Sequence, residues 1–430
     1  MSYIIKFSGI LIFISAIFTI YSYFFSTFSN FLQIATIWIA AILLFTTLRK
    51  KLLISILLML STILFIYIVY NDLPLDYYKA LSINQYLLVL LISVGFLKLI
   101  ATPRKDKNSD LPNGKSSFIK TYLGIHLFGS VINVSSLLLV ADKMYKKGKL
   151  SSLQIILLTR SFSSDAYWSP FFVAFAAAIT YAPNLQTFTI MSFGICLAFI
   201  SFVLTFFEVN NKKKFNLDEF YGYPLSFETL YIPLILATLV LLTHYYYEDI
   251  KIIVLISTFS FVMTFFILPL KKGLIQSFKI LWFYIVQDLP QMRSEISLFL
   301  VAGVFGSLMA TILVDMNFKL PFEVFDYKVA SILLLIFIIL GFIGIHPIIS
   351  IAILGDFVAF ANHTLLATTF LMAWATTVST SPISGLNLTM SSRYFCSVKE
   401  IFKLNIIYAI KIYFVCVLFL FILSKYILEI

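Results

Sequence analysis

The chain has 430 residues, of which 61% are hydrophobic and only 12% charged, and this composition excludes a soluble globular protein. The net charge of +11 does not indicate a nucleic-acid-binding protein, because the lysines and arginines form short clusters between apolar runs, as is typical of cytoplasmic loops. The cysteines Cys196, Cys396 and Cys416 have no metal-binding spacing, so we expect buried thiols rather than a zinc site or a disulfide framework.

The apolar runs predict an all-α polytopic membrane protein. The first run, 4–25, is longer than a signal-peptide core and lacks a small-x-small cleavage site, so we expect it to be retained as a helix. Segments 151–182, 328–360 and 364–395 are too long for one plain span. A window of about 19 residues also finds apolar segments elsewhere along the chain, near 31–48, 52–70, 85–101, 118–141, 187–208, 226–245, 250–269, 294–314 and 403–427.

The charges of the loops predict two hairpins that do not cross the membrane. Segment 118–141 has a strongly basic loop at each end, so the positive-inside rule places both ends in the cytoplasm and predicts a re-entrant hairpin. Segment 328–360 lies between two loops expected outside, and its 33 residues would form a helix of about 50 Å. That length suits a second re-entrant hairpin, which enters from the outside.

The resulting prediction has about eleven transmembrane helices and two re-entrant hairpins, with the N-terminus in the cytoplasm and the C-terminus outside. The stretch 271–293 mixes Lys, Gln and Asp with aromatic residues at helical spacing, which predicts an amphipathic helix in the cytoplasmic interface. The expected divisions are N-terminal scaffold helices in 1–84, a first repeat in 85–208, connecting helices in 209–293 and a second repeat in 294–430.

Two passages of the sequence share the same order of features. Each has Gly-Ile-His in a predicted hairpin, at Gly124 and Gly344, followed by a long segment whose hydroxyl-rich patch ends in Ser-Pro, at Ser169 and Ser381. The loop charges give the two units opposite orientations. Inverted repeats with paired broken helices point to a secondary transporter with its site near the membrane midplane.

The order of helix, re-entrant hairpin, discontinuous helix and helix occurs twice in 85–427. It resembles the ion transporter superfamily, which includes the divalent anion/sodium symporters. The resemblance implies a homodimer with a scaffold part and a moving part, an elevator-like motion coupled to sodium or protons, and a substrate site between hairpin tips and helix breaks. The first tip has Ser130 and Asn133, whereas the second has His346 and Pro347 in place of such a pair.

The helix breaks supply the candidate binding groups. An interrupted helix exposes carbonyls on one half and N–H groups on the other, and Pro170 and Pro382 support the interruptions. A sodium ion is expected near Ser130, Asn133 and Thr376. The alternative is that the hydroxyls only bond to carbonyls within packed helices. The expected substrate contacts are Ser130, Asn133, Arg160, Ser161, Ser163, Ser164, Ser169, Thr377, Ser379, Thr380, Ser381 and Asn387.

Arg160 and Asp165 stand out because a charge at the bilayer centre costs at least ~2.5–3.5 kcal/mol. Either an unwound segment lets them form a structural ion pair, or Arg160 faces an anionic substrate while Asp165 binds a cation or proton. His126 and His346 are interpreted as equivalent hairpin residues that couple transport to protons, the alternative being a packing role. Further amide or imidazole contacts are expected from Asn362 and His363. Asp356 is expected to line the second hairpin, and Trp168 and Trp374 are expected to pack.

The sequence thus predicts a secondary transporter of a small anionic solute in the bacterial inner membrane, without enzymatic activity, cofactor or nucleic-acid partner. A nucleotide-driven pump is disfavoured because the chain has no Gly-x-x-x-x-Gly-Lys loop. The alternative is a multi-span polymerase or ligase of surface polysaccharides that acts on lipid-linked sugars. The outer loops, however, are short and contain no arginine.

Overall fold

The computed structural model describes residues 3–25, 31–48, 51–101, 112–211, 215–223, 231–318, 320–355, 357–358 and 360–430, without the side chains of Ser135 and Pro233. This part of the chain is predominantly helical and contains no β-strand, although an isolated bridge joins Asn113 to Tyr221. The all-α class is therefore confirmed. Asp356, which was predicted to line the second hairpin, lies outside the described residues.

The α-helices of the described chain vary in length from 6 to 25 residues. In order they are α1 (Tyr3–Phe24), α2 (Phe31–Phe45), α3 (Lys51–Tyr70), α4 (Tyr77–Ser82), α5 (Gln85–Ala101), α6 (Gly114–Ile132), α7 (Val134–Tyr145), α8 (Ser152–Ser163), α9 (Val173–Tyr181), α10 (Thr187–Asn211), α11 (Tyr231–Tyr246), α12 (Ile252–Lys272), α13 (Leu274–Phe283), α14 (Arg293–Asp315), α15 (Tyr327–Phe342), α16 (Pro347–Leu354), α17 (His363–Thr380), α18 (Gly385–Tyr394) and α19 (Val398–Ile422).

Seven helical stretches of the described residues are long and apolar enough to cross a membrane, for which about 20 apolar residues are needed. They are α1, α3, α4 with α5, α10, α12, α13 with α14, and α19 with the turn that follows it. Helices α2, α11 and α15 are apolar but shorter. The protein is therefore an α-helical integral membrane protein.

The first of two compact units comprises Met1–Ile100, Ile235–Pro321 and Ile351–Phe357. Within it α1 packs on α2, and α14 packs on α3 and α4. The buried amide of Gln85 donates hydrogen bonds to the hydroxyls of Ser15 and Thr19, each over 2.9 Å. Because lipid offers no hydrogen-bond partners, such internal contacts fix how these helices pack.

The second compact unit comprises Ala101–Leu234, Phe322–Ser350 and Val358–Ile430. Its central element is α17, whose residues are all buried except His363 and Val378. Helix α17 packs against α8, α9, α10, α15 and α19. A helix that is surrounded in this way can hold polar side chains away from lipid, as the threonines and serines of α17 require.

The four segments predicted as hairpins or broken helices are all interrupted. Segment 118–141 consists of α6 and α7, which meet at Asn133, and segment 328–360 contains α15 and α16. Segment 151–182 consists of α8, a 3-10 turn (Ser164–Tyr167) and α9, and segment 364–395 consists of α17 and α18. We call residues 168–172 the first break and residues 381–384 the second break.

The stretch 271–293 does not form a separate helix. After α13 the chain continues through a π-helical turn (Tyr284–Asp288) and a 3-10 turn (Leu289–Met292) directly into α14. The combined stretch has 42 residues, about twice the length that crosses an apolar core. Pro290 does not interrupt it, because the proline stands in the first turn of the 3-10 segment, where a missing N–H is tolerated.

Candidate functional site

The first break is closed by its own serine and carbonyl groups. The N–H groups of Trp168 and Ser169 donate to the Asp165 carbonyl over 3.3 and 3.0 Å. The Ser169 hydroxyl accepts the N–H of Phe171 over 3.2 Å. Pro170 has no N–H to continue the helix. The chain therefore leaves helical geometry here while these backbone groups keep hydrogen-bond partners.

The tip between α6 and α7 is held against the first break. Asn133 has a φ of +51°, a conformation that asparagine adopts more readily than most residues. Its amide donates to the carbonyl of Phe171 over 3.3 Å, and the Ser169 hydroxyl donates to the carbonyl of Ser130. The structure thus brings the predicted residues Ser130, Asn133 and Ser169 together.

The second break is closed in a similar way. The Ser384 hydroxyl donates to the carbonyl of Val378 over 2.8 Å and accepts the N–H of Asn387 over 3.1 Å, which caps α18. The Asn387 amide donates to the carbonyl of Ser381 over 2.9 Å. Its fully buried Oδ1 has no hydrogen-bond donor among the described residues.

The loop between α15 and α16 contacts the second break and α17. A Cβ added to Gly344, which has a φ of +100°, would lie 3.8 Å from Ile383, and the ring of His346 stands edge-on to Trp374 at 5.2 Å. His346 directly precedes α16, whereas His126 lies inside α6, well before the tip at Asn133. The two histidines therefore lie at different distances from the helix junctions, although each ring contacts a tryptophan, Trp168 for His126 and Trp374 for His346, and their equivalence stays a prediction.

Arg160 is enclosed by polar groups from two other helices. Its guanidinium donates to Asn405 Oδ1 over 2.9 Å, to Glu208 Oε2 over 3.0 Å and to the Leu404 carbonyl over 2.8 Å. It also lies 4.3 Å from the centre of the Tyr408 ring. Both charged side chains are buried, so each compensates the other's lost hydration.

Asp165 is not the partner of Arg160, contrary to the ion pair that the sequence left open. Its carboxylate lies 2.7 Å from Nδ1 of His126. The two ionisable residues of the first broken helix therefore have separate partners. Arg160 faces α10 and α19, and Asp165 faces α6.

Asn405 connects both broken helices to α19. Its amide nitrogen lies 3.1 Å from the Thr159 hydroxyl on α8 and 3.1 Å from the Ser379 carbonyl near the second break. Its oxygen accepts from Arg160. One side chain thus bridges the two elements in which the candidate residues are concentrated.

No protein-family model matches this sequence, and no curated protein matches it. The resemblance to the ion transporter superfamily therefore depends on the order of the elements. Any functional conclusion has to be drawn from the site itself.

Most predicted hydroxyls donate to carbonyls of their own helix, as the alternative interpretation proposed. Ser130 donates to the Leu127 carbonyl over 3.0 Å, and Thr376 donates to the Met372 carbonyl over 2.8 Å. Thr376 therefore makes no hydrogen bond that would join it to Ser130 and Asn133. The others that donate within their own helix are Ser161, Ser163, Thr377, Ser379 and Thr380.

Two further predicted contacts lie at the start of α17. Asn362 caps this helix by accepting the N–H of Thr364 over 3.0 Å, and His363 Nδ1 accepts the N–H of Asn184 over 2.9 Å. Both residues therefore help to position α17 beside the turn that precedes α10.

Glu208 and Asn405 were missed from the sequence. Glu208 lies at the end of an apolar run, and Asn405 lies within another. Nothing in the local sequence distinguishes either residue from a loop or packing residue. The available signal was Arg160 itself, because a buried arginine requires a carboxylate partner and several hydrogen-bond acceptors.

Proposed function

We propose that the protein is a secondary transporter that moves a small anionic solute across the bacterial inner membrane, driven by a sodium or proton gradient. One observation carries the proposal: two discontinuous helices in one compact unit each have the junction of a helix pair beside them, with hydrogen bonds at the first break and a ring contact to α17 before the second. Paired discontinuous helices are the usual binding architecture of secondary transporters.

The proposed topology has eleven spans and two re-entrant hairpins in inverted repeats, with the N-terminus in the cytoplasm and the C-terminus outside. The lengths of the second hairpin arms support it, because α7 has 12 residues and α16 has 8. Helices of that size extend about 18 and 12 Å, well short of a ~30 Å core.

An anionic substrate is favoured by the N-termini of α9 and α18, which begin directly after the breaks. A helix N-terminus carries about half a positive charge, although one first-turn N–H of each helix is already bonded, that of Phe175 to the Phe172 carbonyl and that of Asn387 to the Ser384 hydroxyl. The Asn387 side chain lies in the first turn of α18, beside such a terminus. Because Arg160 is already bound by three acceptors, we assign it a positioning role rather than substrate contact.

The proposed mechanism is elevator-like. Both breaks and most of both hairpins belong to the second compact unit, which would be the moving part. The first unit, with its internally hydrogen-bonded helices, would be the scaffold and would form the homodimer.

The test is solute flux in liposomes that contain the purified protein, measured against a panel of small anions under sodium and proton gradients. We expect gradient-dependent uptake of at least one anion, and a strong loss of it in the variant Pro382→Ala, which permits α17 and α18 to join. Pro321→Ala, outside both breaks, is the matched control. Absence of flux combined with polymerisation of lipid-linked sugars would support the polysaccharide polymerase instead.

A further inference from the structure

A cluster of ionisable and hydrogen-bonding side chains lies where the 3-10 turn 164–167 meets α6. It consists of His126, Ser164, Asp165 and Trp168. The Asp165 side chain is completely buried, and that of His126 is 13% exposed. A carboxylate inside a membrane is costly and usually has a functional role.

The hydrogen bonds define the protonation of His126. The indole Nε1 of Trp168 lies 3.1 Å from His126 Nε2. Since an indole N–H can only donate, Nε2 must accept and therefore carries no proton. The imidazole is thus neutral, with its proton on Nδ1.

The Nδ1–H group faces acceptors. Nδ1 lies 2.7 Å from Asp165 Oδ1, 3.0 Å from the Ser164 hydroxyl and 3.3 Å from the Ser161 carbonyl. The hydrogen of Ser164 is directed to the Ser161 carbonyl over 2.9 Å, which leaves the Ser164 oxygen free to accept. His126 is consequently held at both ring nitrogens.

Asp165 has unused acceptor capacity. Despite the short distance to His126, neither carboxylate oxygen has a well-aligned hydrogen-bond donor among the described residues. Oδ2 lies against the backbone of α6, where a Cβ added to Gly129 would be 2.2 Å from it. The space at Oδ2 is therefore small, which suits a proton better than a larger ligand.

The surrounding elements bring few competing charges to this cluster. Arg160 on α8 is paired with Glu208 on α10, and Asp142 on α7 is paired with Arg393. The remaining titratable groups described on α7, the 3-10 turn and the facing parts of α6, α9, α10 and α17 are Lys115, Lys120, Tyr122, Lys143, Tyr145, Tyr167, Tyr181, Cys196 and His363. His126 is the one in ion-pair contact with Asp165 among the described residues.

We propose that Asp165 and His126 form a proton-binding couple, in which Asp165 takes up one proton on Oδ2 while the neutral imidazole keeps its contact with Oδ1. The charge of the couple then changes from −1 to 0, which removes a charge from the membrane interior. The inference rests on the proposed transport function, for which it names the proton as the coupling ion.

Infrared difference spectroscopy of the protein in lipid tests proton binding without any transport. Between alkaline and acid pH we expect a protonated-carboxyl C=O band that is lost in Asp165→Asn and displaced in Asp165→Glu. Asp288→Asn, which removes a carboxyl paired with Lys98, is the matched control and should leave the band unchanged. A wild-type spectrum without the band, or a band that persists in Asp165→Asn, overturns the proposal.

Trp168→Phe separates a positioning role of the indole from simple packing. Without the N–H donor, Nε2 can also be protonated, and the imidazolium would keep Asp165 ionised to lower pH. We therefore expect the carboxyl band of this variant to appear at lower pH than in the wild type. An unchanged titration contradicts the tautomer argument.

Flux measurements connect the couple to transport. In liposomes, Asp165→Asn should reduce the stimulation of solute flux by a pH gradient to the level seen without the gradient. If the protein shows gradient-dependent flux but no infrared band, the proposed transport function stands and proton binding by Asp165 and His126 is refuted. The band in a protein that transports none of the anions refutes the proposed function and leaves proton binding intact.

Discussion

At the scale of single residues, the buried charges show how this membrane protein compensates the cost of ionisable groups. Arg160 is paired with Glu208 and hydrogen-bonded to Asn405, so its charge is balanced within the helices that surround it. Asp165 has His126 beside it at 2.7 Å and no aligned hydrogen-bond donor among the described residues. The first arrangement balances a buried charge, and the second is the one for which we propose a change of protonation.

Because Arg160 and Glu208 are paired, we expect the stability losses caused by substituting them to be strongly non-additive. Arg160→Met or Glu208→Gln alone leaves an unpaired buried charge, which costs about 3–5 kcal/mol when one partner of such a pair is removed. The double variant removes both charges, so its loss of stability should be much smaller than the sum of the two single losses. Thermal unfolding in detergent measures the three variants, and additive losses would show that the pair is not coupled.

Gly129 is predicted to be essential for the position of Asp165. A Cβ there would lie 2.2 Å from Oδ2 and 3.3 Å from Phe162, so Gly129→Ala should displace the carboxylate and cost about 1–3 kcal/mol through overpacking. Gly385→Ala is the control for stability, because a Cβ at that helical position meets nothing within 4 Å. Equal unfolding temperatures of the two variants would contradict the predicted contact.

At the scale of helices, some features of the site follow from the local sequence, whereas others arise only when the helices pack together. The two Ser-Pro breaks were predictable, because a proline and clustered hydroxyls act on the backbone where they stand. The partners of Arg160 were not, since Glu208 and Asn405 gain their role only when α10 and α19 pack beside α8. The Gly-Ile-His repeat did not predict where each histidine lies relative to a helix end, because a tripeptide does not determine that distance.

Asn405 is predicted to hold the broken helices together. Asn405→Ala removes the acceptor for Arg160 and the donor to Thr159 and Ser379, and each lost buried hydrogen bond leaves a polar group unsatisfied at a cost of about 1–3 kcal/mol. The lipid-exposed Ile407 on the same helix provides the control variant Ile407→Ala. Hydrogen exchange should show faster opening of α8 and α17 in Asn405→Ala only, whereas equal exchange in both variants would contradict the bridging role.

At the scale of the whole molecule, the compact units do not follow the repeat boundaries. Helices α5 and α14, which open the two predicted repeats, lie in the first unit. The broken helices and the last helix of each repeat, α10 and α19, lie in the second unit. Each repeat is thus divided between the units in the same way, which is the arrangement expected when a scaffold and a moving part are both built from two related halves.

The proposed re-entrant hairpins predict which loops share a side of the membrane. In a background with Cys196, Cys396 and Cys416 replaced by serine, exposed positions can be labelled with a membrane-impermeant thiol reagent. We expect Lys115→Cys, at the start of α6, and Lys149→Cys, after α7, to react from the cytoplasmic side. Reaction of these two positions from opposite sides would show that the helix pair crosses the membrane.

The second hairpin gives the mirror-image expectation. The exposed residues Glu323 and Phe360 lie before α15 and after α16, so their cysteine variants should both react from the outside. Glu248→Cys, between α11 and α12, is the external control, because its loop is acidic and separated from the basic clusters. If the Glu323 and Phe360 variants react from opposite faces while the control reacts from outside, the inverted repeat is wrong, and the two breaks no longer belong to symmetry-related halves of one transport site.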